Sequence, residues 1–489
     1  MTTNHKSNLH LVKVKPDGGE SFVMADSLFL LVDFGSTFTK VSCVDIEEEV
    51  IVGQSQDYTT VEEDINVGLD KAVGKIPGID LLKDRTVQSF ASSSAAGGLR
   101  MVVIGLVPDL TVEAAKRVSL GAGAIIIGTF SFELAKKEIE EIEKLKPDII
   151  LLSGGTDGGD KKTIINNARL LASSSIKAPI IVAGNKVVSQ DIFEKLKGKG
   201  KIVHLSDNVM PRLDQLEVFK VREIIREVFV KHIIRAKGIS KAQKKLDSIV
   251  QPTPEAVLTA ATLLSQGSSK ESGFGDLIIV DVGGATTDIH SVSLGEPTQM
   301  GVIVKGLPEP YAKRTVEGDL GIRYNAMNIL NQAGLEYFVG KTGLREQIII
   351  DRVNEISRNV GVISQREEDL LIDVALAQFA VKTAMERHSG FYKQVYTPNG
   401  ELLVQYGKDL TKVKKVIGCG GIFSNTNFGL DILKSVLYSS ENPCSLKPRE
   451  ADLYIDKKYI LAHMGVIAAK YPDNALRILK KNLLWLGKV

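Results

Sequence analysis

The chain has very little cysteine: Cys43, Cys419 and Cys444 are the only three in 489 residues, and none forms a Cys-x-x-Cys spacing. That excludes a disulfide framework and a cysteine-built zinc or iron–sulfur site, and it fits a reducing compartment. Excess charge is lacking as well. With 61 basic and 59 acidic side chains the net charge is +2, too weak a field to gather nucleic acid or anionic lipid, so neither is an expected partner. Long apolar runs are missing: LFLLV is among the longest, and the opening MTTNHKSNLHLVKVKPDGGESF is polar. No bilayer span or secretory leader is expected, which leaves a cytoplasmic protein with a flexible tail at 1–26. No short-period repeat or low-complexity tract occurs.

What is present is ample core-forming material, 44% hydrophobic against 25% charged. A chain this long outgrows one core, so two lobes are expected. Leu28 to Val52 reads as three strands separated by turn residues, followed by a helix in TVEEDINVGLDKAV with Thr60 as its N-cap. Between about residues 99 and 210 the texture changes to apolar strands alternating with amphipathic helices, the pattern of a parallel sheet covered on both faces. A long helix from about Leu213 to Ala236, a charged connector GISKAQKK and a helix PEAVLTAATLL follow. A helical region near 344–385, a strand and glycine turn VKKVIGCGG, and a closing helix around KKYILAHMGVIAAKY complete the chain.

One pattern occurs twice. LLVDFGSTFTK starts at residue 30 and IIVDVGGATTDIH at residue 278, which sets Asp33 and Asp281 248 residues apart, close to half the chain. In each, an apolar strand ends in Asp-x-Gly and passes straight into hydroxyl residues. Gly35, and Gly283 with Gly284, permit close backbone approach to a ligand. Ser36, Thr37 and Thr39 in the first copy, and Thr286 and Thr287 in the second, supply hydroxyls suited to phosphate oxygens, and Lys40 supplies a point charge. The carboxylates Asp33 and Asp281 suit hydrated Mg²⁺, which keeps most of its waters. Two such loops facing each other would clamp the phosphates of a nucleotide.

These two stretches resemble the first and second phosphate motifs of the actin, hexokinase and chaperone-ATPase superfamily. QPTPEAVLTAATLL and YILAHMGVIAAK are similar to its two connecting helices, and KKVIGCGGIF to its adenosine loop. The resemblance implies an α/β fold of two actin-like, ribonuclease H-like lobes from an internal duplication, closing over ATP or ADP with Mg²⁺, with a parallel α/β layer inserted in the first lobe. Its expected boundaries are 27–98 and 211–274 for the first lobe, 99–210 for the insertion and 275–489 for the second lobe with its closing connecting helix. Within the superfamily, DFGSTFTKV, GLVPDLTVEAAKRVSLGAGA, KPDIILLSGGTDGG, VDVGGATTDIHS and TVEGDLGIRYNA resemble the reactivating factors of adenosylcobalamin-dependent glutamate mutase, the MutL or GlmL type, unrelated to the mismatch-repair protein of that name. That implies a slow Mg²⁺-dependent ATPase acting as a chaperone that helps a glutamate mutase-like enzyme, through its cobalamin-binding subunit, discard damaged cofactor.

The resemblance also implies residue roles. Asp33 and Asp281 hold the metal waters, Thr286 contacts the γ-phosphate, Asp288 helps orient the attacking water, and Gly418, Gly420 and Gly421 lie beneath the adenine. Water positioning falls to Glu255 or, in the competing register, Gln251. Glu317 and Asp319 are candidates for ribose contact or lobe coupling. The SGGTDGGD stretch at 153–160 reads as a partner-facing or cofactor-handling loop, and no DxHxxG stretch supports an axial histidine for cobalamin. Rival readings are a small-molecule kinase of the same superfamily, a 2-hydroxyacyl-CoA dehydratase activator, which the scarce cysteine disfavours, and a cytoskeletal filament.

Overall fold

A computed structural model describes residues 11–14, 21–24, 28–60, 65–77, 88–94, 99–213, 215–233, 248–361, 364, 366–398 and 400–489. The charged connector at 238–245 lies outside them. The chain divides into two compact units. One comprises Met1–Ala96, Ile234–Gly273 and Ile460–Asn482; the other comprises Gly97–Ile233, Phe274–Tyr459 and Leu483–Val489.

In the first unit, the run Leu28–Phe34 is a central strand, buried at every position but one, as a continuous apolar run requires. It pairs antiparallel with Phe38–Asp45, which pairs antiparallel with Val50–Tyr58. On its other side it pairs parallel with Gln88–Ser93, which pairs parallel with Ser248–Pro252. Numbered by chain position, the five strands lie in the order 3-2-1-4-5. The helix Ile65–Gly74 starts beside Thr60, whose hydroxyl accepts from the Gly68 amide. The helices Thr253–Gln266 and Leu461–Ile467 cross so closely that a Cβ on Gly465 would sit 1.9 Å from the Ala256 carbonyl oxygen. Only glycine allows that approach. Leu11–Val14 and Ser21–Met24 form an antiparallel pair that the polar opening of the sequence did not announce.

In the second unit, Leu277–Val282 is the equivalent central strand. It pairs antiparallel with Thr287–Val292, which pairs antiparallel with Ala312–Glu317; on the other side it pairs parallel with Lys415–Cys419, and that strand with Asp452–Ile455. The order is again 3-2-1-4-5, with Leu484–Lys488 added antiparallel at the edge. The echo in the sequence is therefore a duplicated ribonuclease H-like fold. The helix Glu367–His388 is the spine of the second core, burying Ile372, Leu376, Ala380 and Ala384 against Ile278, Val280 and Phe338.

The inserted segment forms its own five-stranded parallel sheet from Leu99–Gly105, Ala124–Ser131, Ile149–Leu152, Ile180–Val182 and Val203–Leu205. Its order, 2-1-3-4-5, is doubly wound, with helices such as Lys136–Leu145 and Lys162–Ser173 covering a core of Val102, Ile104, Leu152 and Val182. Although inserted within the first lobe's sequence, it is compact with the second lobe: the helix Glu113–Gly121 packs on the strand Ala312–Glu317. The helix expected from Leu213 begins later, at Phe219–Val228, and runs on through a wider turn at Phe229–Ile233.

Candidate functional site

Both hairpins turn in the same way. The Gly35 amide donates to the Phe38 carbonyl at 3.1 Å, and the Gly283 amide donates to the Thr286 carbonyl at 2.9 Å. A Cβ on Gly35 would meet the Phe38 oxygen at 2.6 Å, and one on Gly283 would meet the Thr286 oxygen at 2.9 Å. Each glycine is thus dictated by the turn that presents the loop.

In the first unit, strand register sets Lys40, Asp33, Ser92 and Gln251 side by side across four neighbouring strands. Asp33 is 1% exposed. Its Oδ1 accepts from Ser92 Oγ at 2.9 Å and from Thr253 Oγ1 at 2.5 Å, while its Oδ2 is buried with no partner. Gln251, in the same row, likewise has a buried Nε2 without a partner. A carboxylate oxygen and an amide left unpaired in a buried row are costly unless a ligand completes them. Asp33 therefore fits a hydrated Mg²⁺: hydroxyls fix one oxygen and leave the other for the ion's shell. Among the described residues no group of three or more His, Cys, Asp or Glu side chains is placed to hold a metal ion. Glu255, in the first turn of the Thr253–Gln266 helix, is also buried. Both candidates for water positioning therefore belong to this unit. Behind the hairpin, His463 Nδ1 hydrogen-bonds Ser42 Oγ at 2.8 Å, and burial, aided by the Lys40 charge, pushes its pKa down to about 4.

Ser36 and Thr37 sit partly exposed in the turn, but Thr39 is fully buried and shares a hydrogen bond with Thr59. Its hydroxyl braces the sheet.

In the second unit, Asp281 stands in register opposite Asp288 on one side and Cys419 on the other. Gly284, Thr286 and Asp281 are partly exposed. The Thr286 hydroxyl donates to Asp288 Oδ2 at 2.9 Å, and Arg314 Nε donates to Asp288 Oδ1 at 2.8 Å. Thr287 is the counterpart of Thr39 and is equally buried; it donates to the Leu320 carbonyl. The carbonyl of Gly284 accepts from the Arg323 and Tyr324 amides, which ties the turn to the segment after Glu317. The adenosine-loop candidates are adjacent: a Cβ on Gly420, whose φ is +112°, would lie 2.2 Å from the Val282 oxygen, and one on Gly418 would strike the Phe423 ring at 2.8 Å. Gly421 opens to solvent. Glu317 is bound by Arg387 at 2.6 Å, and the same guanidinium reaches Asp319 at 2.7 Å. Burial raises the Glu317 pKa, with Arg387 opposing.

Sequence reasoning missed Ser92, Thr253, Arg314, Arg387 and His463 as parts of these sites. The loop at 153–160, expected to face a partner or handle cofactor, carries two acidic residues. They are structural: Asp160 Oδ2 accepts from the Thr163 amide at the start of a helix, and Asp157 Oδ1 accepts from Lys186 N and Asn208 Nδ2. Asn185 clamps the loop by accepting from Gly158 N and donating to the Gly159 and Asp160 carbonyls. Among the described residues no helix is long and apolar enough to cross a membrane.

A model of the MutL protein family matches residues 29–483. A curated relative, "Protein MutL" of Clostridium tetanomorphum, is 46% identical over 464 residues, which cover 93% of this chain and 99% of the relative. Among solved structures, nucleotide-free acetone carboxylase aligns with a TM-score of 0.40 at 12% identity, covering 90% of this chain and 70% of the other. A ligand-bound xylulose kinase from Lactobacillus acidophilus aligns with a TM-score of 0.35 at 10% identity, covering 94% and 93%.

Proposed function

Because the chain belongs to the MutL protein family, we propose that it is a Mg²⁺-dependent ATPase that works as a reactivating chaperone. Its client is an adenosylcobalamin-dependent mutase of the glutamate mutase type, from which it releases damaged cofactor. The observation that carries the ATPase half is the Asp33 row: a buried carboxylate with one oxygen fixed by Ser92 and Thr253 and the other unpaired, beside the unpaired amide of Gln251. In this reading Asp33 and Asp281 hold the waters of Mg²⁺, which neutralises charge on the triphosphate when bound. Lys40 and the amides of the two turns hold phosphate oxygens, Thr286 meets the terminal phosphate, and Gln251 or Glu255 orients the water. Phosphoryl transfer needs little covalent help from the protein, so such positioning suffices for slow hydrolysis. ATP and ADP act on the client only insofar as they favour different conformations.

The test is to inactivate candidate cobalamin mutases by turnover and add this protein with Mg-ATP. Restored mutase activity that needs ATP and Mg²⁺ supports the proposal. Failure to bind Mg-ADP at all would end the ATPase reading. Rapid phosphorylation of a metabolite without a protein partner would replace the chaperone with a kinase.

A further inference from the structure

Arg314 is a buried cation at a junction. It lies on the strand Ala312–Glu317, its side chain is 1% exposed, and its guanidinium is shared between two parts of the molecule. One side of the fork holds Asp288 Oδ1, through Nε at 2.8 Å and through Nη2. From the other side Nη1 donates to the carbonyls of Leu120 at 2.8 Å and Ala124 at 2.9 Å. Those carbonyls belong to the end of the Glu113–Gly121 helix and the start of the next strand of the inserted sheet. A helix C-terminus carries partial negative charge, which favours a guanidinium there, and the Leu120 carbonyl accepts from Arg314 in addition to the Gly123 amide. A second arginine fixes the same helix: Arg117 donates to the carbonyls of Leu307 and Pro308 and pairs with Glu309 at 3.1 Å. The helix therefore cannot shift without moving the fork.

On its far side Asp288 accepts the Thr286 hydroxyl at 2.9 Å. The chain of contacts runs from the inserted layer through Arg314 and Asp288 to the hydroxyl of the second turn. His290, directly opposite Arg314 in the strand pairing, is fully buried with neither ring nitrogen partnered, so it offers Asp288 no alternative cation: burial, and then the Arg314 charge, hold it neutral.

We infer that Arg314 is the positioning residue of the second hairpin, setting Asp288 and Thr286 according to where the inserted α/β layer sits. The inserted layer thereby acts as the regulatory input to hydrolysis. This rests on the ATPase reading above. A lysine cannot replace the fork, because one ammonium cannot hold the carboxylate and both carbonyls in a planar arrangement.

The experiment uses the full chain with Arg314→Lys, Arg314→Met, Asp288→Asn and the double variant Arg314→Met with Asp288→Asn. Phosphate release gives kcat and KM, calorimetry gives Mg-ADP affinity, and hydrogen exchange follows residues 113–124 with and without Mg-ADP or a non-hydrolysable ATP analogue. In Arg314→Lys, kcat is expected to fall about tenfold or more while KM and Mg-ADP affinity stay within about twofold, the sign of lost positioning rather than lost binding. Nucleotide is expected to change protection at 113–124 in the parent protein and not in Arg314→Lys. Asp288→Asn and the double variant are expected to share one kcat within about twofold, because the arginine acts through the aspartate. Should Arg314→Met strand a buried charge and fail to fold, the double variant, which removes both charges, and Arg314→Lys still decide the matter. Parent-like kcat in Arg314→Lys, multiplying losses in the double variant, or nucleotide-indifferent exchange at 113–124 in a protein that does hydrolyse ATP would each overturn the role of Arg314 alone. Absence of any nucleotide binding would instead remove the ATPase reading and this inference with it.

Discussion

The two hairpins share strand order, turn hydrogen bond and glycine, yet carry opposite charge at one equivalent place. Asp33 faces Lys40 in the first, whereas Asp281 faces Asp288 in the second. The neighbour on the other side also differs: Ser92 donates to Asp33, while Cys419 occupies the matching place beside Asp281. The first hairpin is thus a fixed, buried anion beside a cation. The second is a pair of acids, one neutralised from outside by Arg314. Duplication preserved the backbone that presents a phosphate-binding turn and let the side chains divide the labour. In the proposed ATPase, phosphate attraction falls to the first unit, and adjustable geometry falls to the second.

The most severe break of this comparison is Asp33→Ala. Losing a preorganised charged group at a transferring phosphate costs at least about 10²-fold in rate, so ATP hydrolysis and any mutase rescue should disappear. Thermal melting should fall only modestly, because the substitution removes a buried carboxylate whose Oδ2 has no partner but also takes the acceptor from the Ser92 and Thr253 hydroxyls. Asp281→Ala should be milder, since Asp281 is partly exposed. Undiminished phosphate release in both variants would remove the site.

Titration separates the units next. His463 in the first unit and His290 and His388 in the second are fully buried, and burial lowers all three pKa values. Above pH 6.5 they are neutral folded or unfolded, and stability is complete. As pH falls toward 4 the unfolded chain takes up protons that the fold refuses, and His463 alone removes up to about 3 kcal/mol. The second unit also carries a group that titrates on the alkaline side. Lys408, donating to the Ser293 and Tyr311 carbonyls, is pushed down to about 7 by burial and then by Lys313. Its contribution is complete above the ordinary lysine range and fades as pH falls through 7. In urea titrations His463→Gln should flatten the acid slope and Lys408→Met the slope between 7 and about 10. Equal pH profiles for both variants would contradict this division.

Lys40→Met sharpens the charge inversion. Hydrogen bonds to charged groups contribute about 1.5–3 kcal/mol, so KM for Mg-ATP should rise about tenfold or more, with less salt dependence than the parent shows. An unchanged KM would take Lys40 out of the phosphate site.

How far these sites were legible in the sequence follows from what lies close along the chain. Asp33 and Asp281, Gly35 and Gly283 sit at one constant offset of 248, so the duplicated lobes and both turns could be read directly. Ser92 and Thr253 reach Asp33 from 59 and 220 residues away, and Arg314 reaches Asp288 from the third strand of its sheet. No local pattern marks them, because strand neighbours, not spacing, bring them in. The inserted sheet was readable from its alternation of apolar strands and helices. Its packing on the second lobe was not, since Arg314 meets it at the carbonyls of Leu120 and Ala124, and every residue has one.

Thr39 and Thr287 test the smallest difference. Both were expected to line the phosphate site, but successive strand residues point to opposite faces. Each stands next to the residue that shares the aspartate's row, Lys40 or Asp288, so each hydroxyl points the other way. Thr39 meets Thr59, whereas Thr287 meets the Leu320 carbonyl, which is held within the turn after Glu317. Thr39→Val should therefore cost about 0.5–1 kcal/mol of stability, because Thr59 can turn to another partner. Thr287→Val should cost about 1–3 kcal/mol, because it leaves a buried acceptor unmatched. Neither should change KM for Mg-ATP by more than about twofold, since hydroxyls turned away from the row make no phosphate contact. A tenfold rise in KM with Thr287→Val alone, at unchanged melting temperature, would show that the second hairpin turns its threonine outward to the nucleotide while the first keeps its own inside.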